Sequence, residues 1–251
     1  MCHQPQKSPS NSAILDGDIL AYHTAFWAES NNPSEYPKKL KELIKKWTPK
    51  GVDTIRIALS CSREDNFRRT EWPNYKINRT DMYVPEYLGD IKDYIQHNYF
   101  VETLDTLEAD DIMGINALES IAVTIDKDLR GVAGWHFNPD KEKKPRFVTE
   151  EEAYRFFCKQ WMMGDATDCI PGLWRVGPKK ADKFLDEWET DEWEERILEL
   201  YNTEKYQLKD TCGLSPEEVA IAMARCVKIL DHTGYDYETF QHILWNPKSG
   251  S

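Results

Sequence analysis

Short apolar runs that end in acids alternate with amphipathic segments over most of the chain. Ala13-Ile14-Leu15 runs into Asp16-Gly17-Asp18, residues 54–59 alternate and are β-branched, residues 100–104 make a third run, and Ile121-Ala122-Val123-Thr124-Ile125 ends in Asp126-Lys127-Asp128. Each reads as a strand, the last as a central parallel one because it is continuously apolar. The spacing of apolar positions predicts helices over 19–27, 37–47, 88–98 and 107–119, and Trp135-His136-Phe137 with Arg146-Phe147-Val148 reads as an edge hairpin. After Gly164 the pattern is helical over 179–188, 191–201 and 215–230, and Ser215-Pro216-Glu217-Glu218 supplies a capping box for the last helix. This order predicts an α/β fold: a mostly parallel sheet flanked by helices, then a carboxyl-terminal helical region. Ligands in such sheets bind beyond the carboxyl ends of the strands, where these acids fall.

The net charge of -12 excludes a general polyanion binder, so any nucleic-acid contact has to be local. A local basic patch exists: Arg63, Arg68 and Arg69, then Tyr75-Lys76-Ile77-Asn78-Arg79. The six cysteines show no C-x-x-C pair or zinc spacing and read as free thiols in a reducing compartment. The polar amino terminus is neither a signal peptide nor a membrane span, so a cytoplasmic protein with no membrane partner is expected.

The chemistry concentrates in residues 161–181. Asp165 and Asp168 are three apart and would meet on one helical turn, a pairing suited to a hard divalent cation. Gly172, Gly177 and Pro178 then open a helix whose first N–H groups could seat a phosphate. Acids crowded in one cleft raise each other's pKa and call for cations.

Gly164-Asp165-x-x-Asp168-x-Ile170-Pro171-Gly172, followed by Val176-Gly177-Pro178-Lys179-Lys180-Ala181, resembles the helix-three-turn-helix signature of the 5′ nuclease superfamily of flap endonucleases and bacteriophage 5′ to 3′ exonucleases. Glu108-Ala109-Asp110-Asp111 is similar to its acidic motif, and Tyr75-Lys76-x-Asn78-Arg79 to its basic segment. The resemblance implies a PIN-like, Rossmann-like nuclease domain over 12–160, a helix-three-turn-helix and helical DNA-binding region over 161–246, and disordered ends at 1–11 and 247–251. It implies hydrolysis of DNA phosphodiesters with two Mg²⁺ ions, for which Mn²⁺ would substitute. Asp16, Glu108, Asp110 and Asp111 would hold the first ion, and Asp126, Asp128, Asp165 and Asp168 the second. Lys76 and Arg79 would act on the scissile phosphate. Arg68, Gly172, Gly177, Lys179 and Lys180 would contact DNA. The partner would be double-stranded DNA with 5′ ends or flaps, or an RNA–DNA hybrid, met by a monomer in a phage-infected bacterial cell during replication or recombination.

The pattern departs from the family in three places: Ser60-Cys61-Ser62 stands where an acid usually follows the second strand, Arg175 replaces a usual Gly, and Cys169 a frequent Asn. Two rivals stay open: a DNA-binding replication accessory protein with a damaged site, and a haloacid-dehalogenase-type phosphatase, which also begins with a strand and Asp-x-Asp. Members that thread a flap build a helical arch between the basic segment and the acidic motif. Residues 81–99 leave room for one short helix, which predicts an open gateway.

Overall fold

The computed structural model describes residues 11–247. The expectations of disorder at 1–11 and 247–251 therefore fall outside the described residues, apart from Asn11 and Pro247. β1 (Ser12–Asp16) leads into α1 (Gly17–Glu29) and α2 (Tyr36–Trp47), and β2 (Thr54–Ala58) into the single turn α3 (Arg68–Glu71) and α4 (Leu88–Asn98). β3 (Val101–Glu102) is followed by α5 (Ala109–Asn116), β4 (Ile121–Val123), β5 (Gly134–Phe137) and β6 (Arg146–Val148). Helices α6 (Glu150–Met163), α7 (Pro178–Glu187), α8 (Trp193–Asn202) and α9 (Pro216–Val227) come next, then the small pair β7 (Tyr235–Asp236) and β8 (Gln241–His242).

The main sheet has the order β3-β2-β1-β4-β5-β6, parallel throughout except for the antiparallel β5–β6 edge. The order reverses between β1 and β4, which opens a crevice at their carboxyl ends. Ala13, Ile14 and Leu15 in β1 have no exposed surface, as a strand covered on both faces requires. One face packs on α1, α2 and α4 through Leu20, Leu40, Trp47, Ile91 and Ile95. The other packs on α5 and on Ile229 and Leu230 beyond α9.

A further core joins α6 to α7, α8 and α9 around the buried Trp161, whose indole N–H donates to the Ala220 carbonyl at 2.7 Å. α6 itself was not anticipated, although Thr149 and Glu152 form a reciprocal capping box at its start. A boundary at 160/161 cuts through this helix. Its Phe157, Cys158, Trp161 and Met162 pack with the carboxyl-terminal helices, so by packing that region begins at Glu150. The third strand shrinks from five expected residues to Val101 and Glu102, and the helix expected over 107–119 is confined to α5. No helix among the described residues is long and apolar enough to cross a membrane.

Candidate active site

A cleft of about 830 Å³ opens at the carboxyl ends of β1, β2 and β4. Asp16, Asp18, Glu108, Asp110, Asp126, Asp128, Asp165 and Asp168 all line it, with Lys76, Arg79 and Lys92 among them. The folding of each element explains the convergence. Asp16 ends β1 and caps α1, accepting from the Ile19 N–H at 3.0 Å, while Thr124 Oγ1, just after β4, donates to its other oxygen at 2.8 Å. Asp128 starts the short turn after β4 and accepts from Gln160 Nε2 of α6 at 2.9 Å.

These acids are short of cations. Burial, then Asp18 and Asp126, push Asp16 up to about 7. Burial, Asp16, Asp126 and Glu108 hold Asp110 well above the carboxylate range. Burial, Asp126 and Asp165 push Asp128 up to about 7. Asp126 thus acts on Asp16, Asp110 and Asp128 alike, and Asp165 acts on Asp128 as well. Among the described residues no three His, Cys, Asp or Glu side chains already form a closed ligand set for an ion. The oxygen donors fit a hard cation that completes its shell with water and substrate oxygens, as Mg²⁺ does.

Glu108 and Asp168 differ, because cations already occupy them. Lys76 Nζ lies 2.5 Å from Glu108 Oε1 and 3.4 Å from Asp168 Oδ2, and Arg79 is 2.5 Å from Asp168 Oδ1. Tyr75 OH donates to Glu108 at 2.7 Å. Burial alone would raise Glu108, but Lys76 and Arg68 outweigh it and hold this carboxyl at about 2. Burial likewise opposes the charge on Lys76, and Glu108 and Asp168 more than compensate, so its pKa is raised. Lys76 sits in the left-handed region at φ 51°, with its N–H bonded to the Asp168 carbonyl at 2.8 Å, so the basic segment is stitched to the acidic turn.

Three residues, Asp111, Arg68 and Gly172, sit differently from expectation. Asp111 does not face the cleft: it is fully buried, grips Arg68 through both oxygens at 2.6 and 2.7 Å, and accepts from Leu230 N at 3.1 Å. Arg68 is only 2% exposed: its guanidinium is spent on this pair, behind Glu108 at 3.6 Å, and is not presented on the surface. Three residues of the site escaped the sequence reading. Asp18 is paired with Lys92 at 2.5 Å, and Ser60 donates to Asp18 while accepting from Ala109 N at 2.9 Å. Ser60 thus fastens the end of β2 to the start of α5. Asp65, the possible substitute acid, is exposed and bonded to Ser62 Oγ at 2.6 Å. The Asp16-Gly17-Asp18 repeat was the available signal for Asp18.

Asp165 and Asp168 lie in a tight turn closed by the Asp165–Ile170 bridge, with Asp168 N bonded to Asp165 O at 3.2 Å, so a turn rather than a helix brings them together. Gly164 and Gly172 clamp it: both have positive φ, 67° and 61°, and a Cβ on either would strike the backbone of the facing strand of the turn. Gly172 is therefore a packing residue, buried against Met163. Gly177 caps α7 in extended conformation, exposed, with open space where a Cβ would project. Lys179 is exposed beside it, and Lys180 lies 4.3 Å from the Tyr206 ring centre.

No family model matches the chain. The 5′-3′ exonuclease of Buchnera aphidicola subsp. Schizaphis graminum is 28% identical over 219 residues, covering 77% of this chain and 74% of that one. A T5 protein co-crystallised with metal ions superposes with a TM-score of 0.60 at 18% identity, covering 86% of this chain and 88% of that one. The catalytic core of Rad2 in complex with a DNA substrate gives 0.50 at 14% identity, covering 95% and 83%. The switch-point cleft and the acid-lined turn accord with these likenesses: the chain is similar in sequence to 5′-3′ exonucleases and shares its fold with the T5 protein and the Rad2 core.

Proposed function

We propose that the chain is a divalent-metal-dependent nuclease that hydrolyses DNA from 5′ ends or at flaps. The observation that carries this reading is the gathering of under-compensated acids at the sheet switch point, directly beside Lys76 and Arg79. The curated relative named as a 5′-3′ exonuclease, and neighbours solved with metal ions and with DNA, support it. Asp16, Asp110, Asp126, Asp128 and Asp165 would hold two Mg²⁺ ions, which Mn²⁺ could replace, with Glu108 and Asp168 contributing at the edges. Bound there, such ions lower the pKa of water and stabilise a leaving oxygen, a contribution of several kcal/mol or more than ~10³-fold in rate. Lys76 and Arg79 would place positive charge on the phosphoryl oxygens as negative charge builds. The start of α7 at Gly177 would receive a backbone phosphate without reading sequence.

The segment over 80–98 favours an open approach. α4 lies flat on the body, with Ile91 and Ile95 without exposed surface in the core shared with α1 and α2. The preceding loop is tied to α1 as well, since Tyr83 OH and Glu86 N bond Glu29 Oε1 at 2.5 and 2.8 Å. Nothing in this interval is long enough to close over the cleft, so duplex or obstructed 5′ ends could enter from the side.

The test is turnover of 5′-labelled DNA by Asp126→Ala and Asp165→Ala in Mg²⁺. Each should fall by at least ~10³-fold with DNA binding still measurable. Near-normal cleavage by either variant overturns the metal assignment.

A further inference from the structure

The helical region carries a second cluster of cations with no role in the cleft. Trp174 is 42% exposed on the turn before α7, with Arg175 at 5.4 Å and Lys209 at 5.8 Å from its ring. Its backbone N–H donates to the Tyr206 carbonyl at 2.8 Å, which docks the segment after α8 against this turn. Tyr206 in turn carries Lys205 at 5.5 Å and Lys180, from α7, at 4.3 Å. The exposed Trp174 ring, the half-buried Tyr206 ring and these four cations form one shelf.

Among the described residues none of these four cations makes an ion pair, in a chain whose net charge is -12. Elsewhere on the same helices Lys183 is paired with Glu187, and Arg196 with Glu192 and Glu199. A carboxylate holds a cation and cancels it. An aromatic face holds a cation and leaves its charge, because the attraction comes from the ring quadrupole. The shelf therefore presents oriented cations that no carboxylate pairs, with Glu204 and Asp210 nearby on the same segment, and the ligand it suits is a run of backbone phosphates.

We propose that the segment over 203–210, through Lys205 and Lys209 seated on Tyr206 and Trp174, is a second phosphate-contacting element that extends the duplex grip of the α7 start. It rests on the reading of the chain as a DNA-acting protein. It adds a contact outside the turn that carries the family motif. Phosphate contacts of this kind release counterions and are blind to sequence.

The experiment is anisotropy of the full chain with two 20-base-pair DNA duplexes of unrelated sequence, titrated in EDTA across a range of NaCl. Lys205→Ala with Lys209→Ala should flatten the slope of log K against log[salt] by up to about two units, equally for both duplexes. Lys38→Ala with Lys41→Ala on α2 should leave the slope unchanged. Thermal midpoints matching the parent chain establish that both double variants are folded. A slope for the Lys205/Lys209 variant equal to that of the parent overturns the inference. Failure of the parent to bind either duplex would overturn the DNA-acting reading instead, so the two failures are distinct.

Discussion

Arg68 and Asp111 form a two-pronged ion pair, 2.6 and 2.7 Å, with the Asp111 side chain fully buried and that of Arg68 nearly so. The guanidinium also donates to the carbonyls of Cys226 and Lys228 at 2.9 and 2.8 Å, so the pair ties α3 and α5 to the chain leaving α9. A buried pair with every prong satisfied is costly to half-remove, because the surviving charge has no partner. Arg68→Ala should therefore lower unfolding free energy by about 3–5 kcal/mol in urea denaturation. Weakened DNA binding at unchanged stability would instead make Arg68 a surface contact.

The crowded acids predict an unusual pH response. Asp16 has a folded pKa of about 7 against an ordinary 3.8, so between these values the folded chain binds the extra proton. Its contribution is fully present below about 3.8, falls away as pH rises between 3.8 and about 7, and is gone above about 7. Asp16→Asn keeps a capping oxygen for α1 and removes the charge. Without metal at pH 8 it should melt above the parent, by about 2–4 °C for each kcal/mol gained, and the gap should shrink as pH falls below about 7 and close as pH approaches the ordinary Asp value of 3.8. Mg²⁺ should narrow the gap at pH 8 by stabilising the parent more. A variant that melts below the parent at pH 8 would mean Asp16 is not under strain from its neighbours.

The sheet and the clustering of acids were legible because strands that end in Asp leave a local signature, and the α/β alternation fixes which edge they share. The division of labour among the acids was not. Asp110 and Asp111 are adjacent on α5, so one helical step of about 100° turns one to the cleft and the other inward. Only the arrival of Arg68, 43 positions away, decides which. Arg68 itself sits in a basic run that reads as surface. The three-residue spacing of Asp165 and Asp168 suits a helix or a tight turn alike, and the flanking Gly164 and Pro171 were the evidence for a turn.

Arg175 and Cys169 occupy the left-handed region at φ 58° and 57°. The resemblance puts Gly and Asn at these positions, residues that adopt this conformation readily, so Arg175 and Cys169 bear a strain that those residues would not. Cys169→Asn should relieve part of it and raise stability by about 0.5–1 kcal/mol, with the Trp72 Nε1 bond to the residue 169 carbonyl kept. Arg175→Gly should gain less, because glycine also loosens the unfolded chain and the Trp174 contact is lost. Equal losses in both variants would mean neither position is strained.

The approach to the cleft gives the last prediction. A threading enzyme needs a closed bridge above its acids, and a bridge needs two legs. The interval between Arg79 and Glu108 holds one helix of 11 residues, and its apolar side is spent on the core through Leu88, Ile91 and Ile95. Lys92, the one basic side chain of α4 apart from His97, is held by Asp18 at 2.5 Å and is not available to draw a strand through. Lifting α4 would expose three core side chains, at roughly 1.5–3 kcal/mol each, so a disorder-to-order arch is disfavoured. A 5′ flap blocked by an annealed complement or a bulky adduct should thus be cut at a rate within about three-fold of the free flap, roughly 0.6 kcal/mol in activation free energy. Complete inhibition by the block would refute the open gateway and require α4 to leave the body of the protein during each turnover.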